Sequence, residues 1–169
     1  MLDIPISALL LAGFALAHAA WSVSDTTPAE PLVPLTLVEQ NGQRALHRYE
    51  APTQVEAIRR GKAETLELSR TADAWAFARE GALRVPATNP DTQDVLVIDL
   101  WAKGMVASAT LVQRFERSTD RTHFRIVGKP LITVNGHELD SAAAERLVKV
   151  IHQGIATHEK VAALWPTWQ

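Results

Sequence analysis

The chain contains no cysteine. Thiol nucleophiles, thiolate metal ligands and disulfide staples are therefore excluded. At 169 residues no staple is required, because a chain of this length buries about 68–70% of its unfolded surface. Phosphate-cradling loops are missing too. The eight glycines never fall into G-x-G-x-x-G or G-x-x-x-x-G-K spacing, so no nucleotide cofactor is implied. No G-x-S-x-G elbow is present, and no Ser-x-x-Lys stands where it would start a helix. Charge is scarce in either sign, with a net of -2, which speaks against a basic nucleic-acid-binding domain. No apolar run reaches the ~20 residues of a bilayer span.

What is abundant is apolar surface: 47% of residues are hydrophobic, and five tryptophans stand at positions 21, 75, 101, 165 and 168. Both values fit a folded chain and not a disordered one. The length fits one domain, residues 1–169.

The run Ile4–Ala17 is apolar except at Ser7. It reads as a buried first helix, with Asp3 as N-cap and Pro5 in the first turn, where its missing N–H costs nothing. A secretory signal peptide is the alternative, with small residues at Ala17 and Ala19. The leading Met-Leu-Asp lacks the positive charge such a peptide carries. The expected location is the bacterial cytoplasm, in keeping with the absence of cysteine; it becomes secreted or periplasmic if residues 1–19 form a signal peptide.

Asn41-Gly42 between two alternating runs predicts a tight hairpin, since a type I′ turn needs positive φ at both central residues. A two-residue loop sets Glu39 opposite Arg44, Leu37 opposite Leu46 and Thr36 opposite His47. Thr53-Gln54-Val55-Glu56 is a capping box opening a helix to about Ser69. Val55, Ile58 and Leu66 are expected on its inner side, with Gly61 packed closely on the sheet. From Trp75 the period becomes two, and Glu80-Gly81 suggests a second hairpin. A loop over 87–93 precedes a β stretch, Val95–Glu116, divided at Lys103-Gly104. A turn over 118–122 leads to strands Phe124–Val127 and Leu131–Val134, the latter an edge or bent strand because of Pro130. Asp140 or Ser141 caps a helix to about Leu164, with Leu147, Ile151 and Ile155 on one face. The fold class is thus α+β. An antiparallel sheet of about five to seven strands is packed by an N-terminal helix, a crossover helix after the first hairpin and a C-terminal helix.

Chemistry-bearing residues are few. His137-Glu138 and His158-Glu159 open like H-E-x-x-H, but Ser141 and Ala162 occupy the second ligand position, so a zinc helix is not formed. His152 and His158 stand about 240° apart on a helix and cannot share an ion. Neither a metal nor a cofactor is expected. The basic segment Arg114–Lys129, with His123 and Phe124 inside it, reads as a solvated turn in preference to an RNA contact. Asp99 shares its strand face with Val97 and Trp101, and His47 and Tyr49 share the corresponding face of the hairpin. These four residues, His47, Tyr49, Asp99 and Trp101, are the candidate ligand- or partner-binding surface. No residue is assigned a catalytic role.

The expected function is binding without an evident catalytic motif. The chain would act through a sheet face or edge, as a homodimer or on a protein partner. The alternative is a small-molecule-binding domain or enzyme with a pocket between helices and sheet, in which Asp99 and a histidine transfer protons. The terminal Trp165 and Trp168 either close the core or dock on another chain.

Overall fold

The Asn41-Gly42 turn folds as its sequence dictates. In a computed structural model, which describes residues 3–86 and 92–169, these two residues have φ of 52° and 76°. They join β1 (Leu35–Gln40) to β2 (Gln43–Arg48). The register sets Glu39, Leu37 and Thr36 opposite Arg44, Leu46 and His47, and Glu39 and Arg44 form an ion pair at 2.6 Å.

The remaining elements are α1 (Ile6–Val23), α2 (Gln54–Leu68), β3 (Ala74–Arg84), β4 (Thr92–Ala102), β5 (Ala109–Arg117), β6 (Phe124–Val134), β7 (His137–Glu138), α3 (Ser141–Ala156) and α4 (Trp165–Trp168). All pairings are antiparallel, and the seven strands lie in the order β2-β1-β3-β4-β5-β6-β7. The fold is α+β. Helices α1 and α3 cover one face of this sheet. Among the described residues only α2 lies on the other, over β1 and β3.

The main core lies under α1. Leu9, Leu11, Leu16 and Val23 pack with Leu35, Leu37, Ala76, Leu96, Ile98, Leu100, Leu111 and Phe115 from the sheet. The helix is long and apolar enough to cross a bilayer, but here its apolar sides meet sheet and α3. Its N-cap is Pro5 and no side chain caps it, so Asp3 does not serve as expected. Helices α1 and α3 approach until backbone meets backbone. A Cβ on Gly13 would stand 2.1 Å from the Ile151 carbonyl oxygen, and one on Gly154 2.2 Å from that of Leu10. Only hydrogen fits between them.

Several expectations are corrected. Glu80-Gly81 is not a turn: β3 runs through it, with Gly81 opposite Val95. Glu80 is instead committed to an ion pair with Arg117 at 2.8 Å, an arginine side chain only 1% exposed. Burial raises the Glu80 pKa even though the Arg117 charge and the Leu32 N–H pull it down. Residues 124–134 form one strand and not two, because Gly128, at φ 68°, absorbs the irregularity opposite the bulge between Val112 and Arg114. Helix α3 stops at Ala156. The expected loop over 87–93 lies largely outside the described residues, and Thr92 and Gln93 already belong to β4.

On α2, Thr53 accepts a hydrogen bond from the Glu56 N–H at 3.2 Å, as the capping box requires. Its inner side is formed by Ala57, Gly61 and Thr65. Val55 and Leu66 point outward, 78% and 70% exposed. Small residues win the inner positions because the sheet offers large rings there. A Cβ on Gly61 would stand 2.6 Å from Phe77 and 2.8 Å from Tyr49.

Trp165 and Trp168 fold back into the core. Trp168 meets Phe124 edge-on, ring centres 4.9 Å apart.

Candidate functional site

Because side chains alternate along a strand, the register defines what the α2 side of the sheet presents. Thr36, Phe77, Asp99, Thr110 and Thr133 form one row across β1 to β6. Val97, Val112 and Leu131 form the next. Helix α2 covers the β1–β3 end of these rows. Over β4, β5 and β6 no element lies among the described residues, and Val97, Asp99, Trp101, Thr110, Val112 and Thr133 are half-buried there, with Leu131 exposed. Half of this sheet face is open.

The four predicted site residues all lie on this side, in different settings. Tyr49 is buried beneath α2, where its hydroxyl donates to Thr36 Oγ1 at 3.0 Å. Thr36 in turn shares a 2.6 Å bond with Thr65 of α2. His47 is exposed on the edge strand β2. Asp99 and Trp101 are together on β4, beyond α2. The helix thus stands between His47 and the Asp99–Trp101 pair.

Asp99 is held by Arg79 from β3 and by the Thr110 hydroxyl from β5, the latter at 2.9 Å. Trp101 stacks on Trp75, centres 6.2 Å apart, and donates its indole N–H to the Met105 carbonyl at 3.0 Å. Beside them a hollow of about 200 Å³ is lined by Lys62, Thr65, Leu66, Trp75, Phe77, Asp99 and Ser108. No histidine lines it. The Asp99 carboxylate is thus held by a guanidinium and a hydroxyl.

The arginines of the 114–129 segment are committed as well. Arg121 pairs with Glu30, Arg125 with Glu116, and Lys129 lies 3.8 Å from Glu145. Arg114 lies across Gly128. The turn itself is tied by Asp120, whose bonds to Ser118 and Thr122 hold its pKa down to about 2.

One constellation does not follow from any motif. His18 Nδ1 and His158 Nε2 are 3.1 Å apart, joining α1 to the segment after α3. His158 is 6% exposed, and His18 Nε2 and His158 Nδ1 have no partner. Burial, then His158, then Arg48 lower the His18 pKa to about 4. Burial also lowers His158, with Lys160 adding to the effect. Both rings are therefore neutral at pH 7, one donating N–H to the other. They lie in a hollow of about 480 Å³ with Phe14, Trp21, Thr157, Glu159 and Lys160. The signal was present in the sequence: Phe14, His18 and Trp21 follow helical spacing, an aromatic stripe on a helix otherwise built largely of aliphatic residues.

The described residues contain no group of three or more His, Asp or Glu that could hold a metal ion. Comparison with protein-family models, with curated proteins and with solved structures finds no match to this chain.

Proposed function

We propose that this chain is a binding domain that works through the open half of its sheet face, and that the surface it meets first is that of a second copy. The observation that carries this reading is the apolar row Val97–Val112–Leu131, left uncovered beside α2. Beyond the intervening Asp99–Thr110–Thr133 row the same side of β4 carries Trp101, and Leu66 of α2 and Val106 are exposed, at 70% and 105%. Sheet faces in folded domains are ordinarily covered on the apolar side, and a patch of this kind marks an interaction surface.

Charge supports a self-contact. Arg79 pairs with Asp99 and Arg125 with Glu116, so these charges are neutralised within each copy. The Asp99 carboxylate then orients the contact as a fixed acceptor beside Trp101. An enzyme using Asp99 with a histidine is the weaker reading, because no histidine lines the Asp99 hollow.

The test is sedimentation equilibrium over a concentration series. The wild-type chain should show a mass above 18.5 kDa that falls on dilution. Val112→Lys should hold the chain at monomer mass with its circular dichroism unchanged. A wild-type chain that is monomeric at every concentration would remove the self-association reading.

A further inference from the structure

The outer edge of β2 is separate from the open sheet face. The Tyr49 N–H donates to the Pro34 carbonyl at 2.9 Å, which sets the hydrogen-bonding phase of the hairpin. Gln43, Ala45 and His47 turn their main-chain groups toward β1, and Arg44, Leu46 and Arg48 turn theirs outward. The order of strands puts β2 at the end of the sheet, so these outward N–H and C=O groups meet no strand among the described residues.

The side chains of the same three residues point to the α1 side, since Leu37 and Leu35, their partners in register, belong to the core under α1. There α1 runs alongside β2. The Arg44 guanidinium lies 4.6 Å from the centre of the Phe14 ring. Arg48 lines a hollow of about 580 Å³ with Trp21, Ser22, Ser24, Asp25 and Leu164. Above Trp21 stands the Lys160 ammonium, 4.6 Å from the ring centre. Edge strand and helix thus form a shelf: open backbone outside, Leu46, Phe14 and Trp21 along it, and Arg48 and Lys160 over it. Neither Arg48 nor Lys160 has an ion-pair partner among the described residues.

We infer that this edge takes an extended acidic segment of a partner protein, added to the sheet as a strand outside β2. Main-chain bonds to Arg44, Leu46 and Arg48 supply the pairing, and alternate side chains of the segment reach the shelf. Carboxylates there meet Arg48 and Lys160, and an apolar residue between them meets Leu46 and Trp21. A second copy of β2 does not fit. Pairing Leu46 with Leu46 across a twofold axis sets Arg44 against Arg48 on both sides, and like charges directly opposite repel. Arginine on an exposed edge also blunts self-association, which reserves the edge for a partner of opposite charge.

The test uses a fluorescein-labelled Glu-Thr-Val-Thr-Glu-Thr peptide, which presents Glu, Val and Glu on one strand face, its analogue N-methylated at alternate residues, and Lys-Thr-Val-Thr-Lys-Thr. Binding is followed by anisotropy and by backbone amide shifts of the full chain. The acidic peptide should bind and shift the Arg44, Leu46 and Arg48 amides, less strongly as salt is raised. Arg48→Glu with Lys160→Glu, both at exposed positions, should weaken it at least tenfold, and N-methylation should do the same. Absence of β2 shifts at millimolar acidic peptide would overturn the inference. So would equal binding by the lysine peptide, the N-methylated peptide or the charge-reversed chain. Because Val112→Lys does not touch this edge, loss of self-association there and loss of peptide binding here are read separately.

Discussion

His18 and His158, 140 residues apart in sequence, share one hydrogen bond of 3.1 Å between Nδ1 and Nε2. It ties the C-terminal half of α1 to the turn that follows α3, and it needs one ring to accept through a bare nitrogen, so it is lost when both rings are protonated.

Acid should loosen that tie. The folded pKa values are lowered, to about 4 for His18 and in the same direction for His158, whereas an unfolded histidine titrates near 6.5. The unfolded chain therefore binds more protons between these values, so the contribution is full above pH 6.5 and is lost as pH falls toward 4. Arg48 and Lys160 face the pair and resist its protonation, while Glu159 favours it. His18 is only half-buried, so solvent screening limits its share to about 1–2 kcal/mol. Urea unfolding at pH 7.5 and pH 4.5 should show a smaller difference for His158→Gln than for the wild type. An identical difference in both would mean that the pair does not set the acid response.

Helix packing at Gly13 and Gly154 admits no side chain, because each Cβ would fall close to 2 Å from a carbonyl oxygen of the other helix. Gly13→Ala or Gly154→Ala should each cost about 2–4 kcal/mol, through helix separation. Denaturant midpoints measure this, and Gly81→Ala serves as the contrast, since its Cβ would meet only ordinary contacts at 3.5 Å and beyond.

Arg117 is sealed against Glu80 at 2.8 Å and also donates to Thr26 Oγ1 at 3.0 Å. Glu80→Leu leaves a buried guanidinium unpaired and should destabilise the chain by about 3–5 kcal/mol. Adding Arg117→Met should recover most of that loss. Chemical denaturation of the two variants checks both statements.

The C-terminal tryptophans close the end of the core. Trp168 is 8% exposed and stacks edge-on with Phe124 and Trp165. Trp168→Ala should cost about 3–5 kcal/mol, read as a lowered thermal midpoint. A variant as stable as the wild type would place this side chain outside the core.

Legibility in the sequence followed the range of the interaction. Asn41-Gly42, Thr53 to Glu56, and Asp140 at the start of α3 act within a few residues, and each folds as read. Glu80-Gly81 misled because its local pattern is that of a turn, while the reason for Glu80 lies in Arg117, far along the chain. Val55 and Leu66 misled because hydrophobicity alone assigned the inner side of α2, whereas the Tyr49 and Phe77 rings admit the small Ala57, Gly61 and Thr65, and of the expected residues Ile58 packs beside them. Asp99 was read as a binding-surface or proton-transfer carboxylate, and its partner Arg79 could not be named without the strand register. His18 shows the same limit. Its helical stripe is visible in sequence, and its partner is not.

The central claim is that the open sheet face meets a second copy, and the absence of native cysteine allows it to be tested directly. A nitroxide attached at Lys103→Cys, an exposed position just past β4 and outside the Val97–Val112–Leu131 row, read by double electron–electron resonance, should give a well-defined intermolecular distance that vanishes on dilution with unlabelled chain. The same label at Gln153→Cys on the exposed side of α3 should give a different and longer distance. No intermolecular dipolar signal from position 103, at concentrations where sedimentation equilibrium would show the dimer, would contradict it.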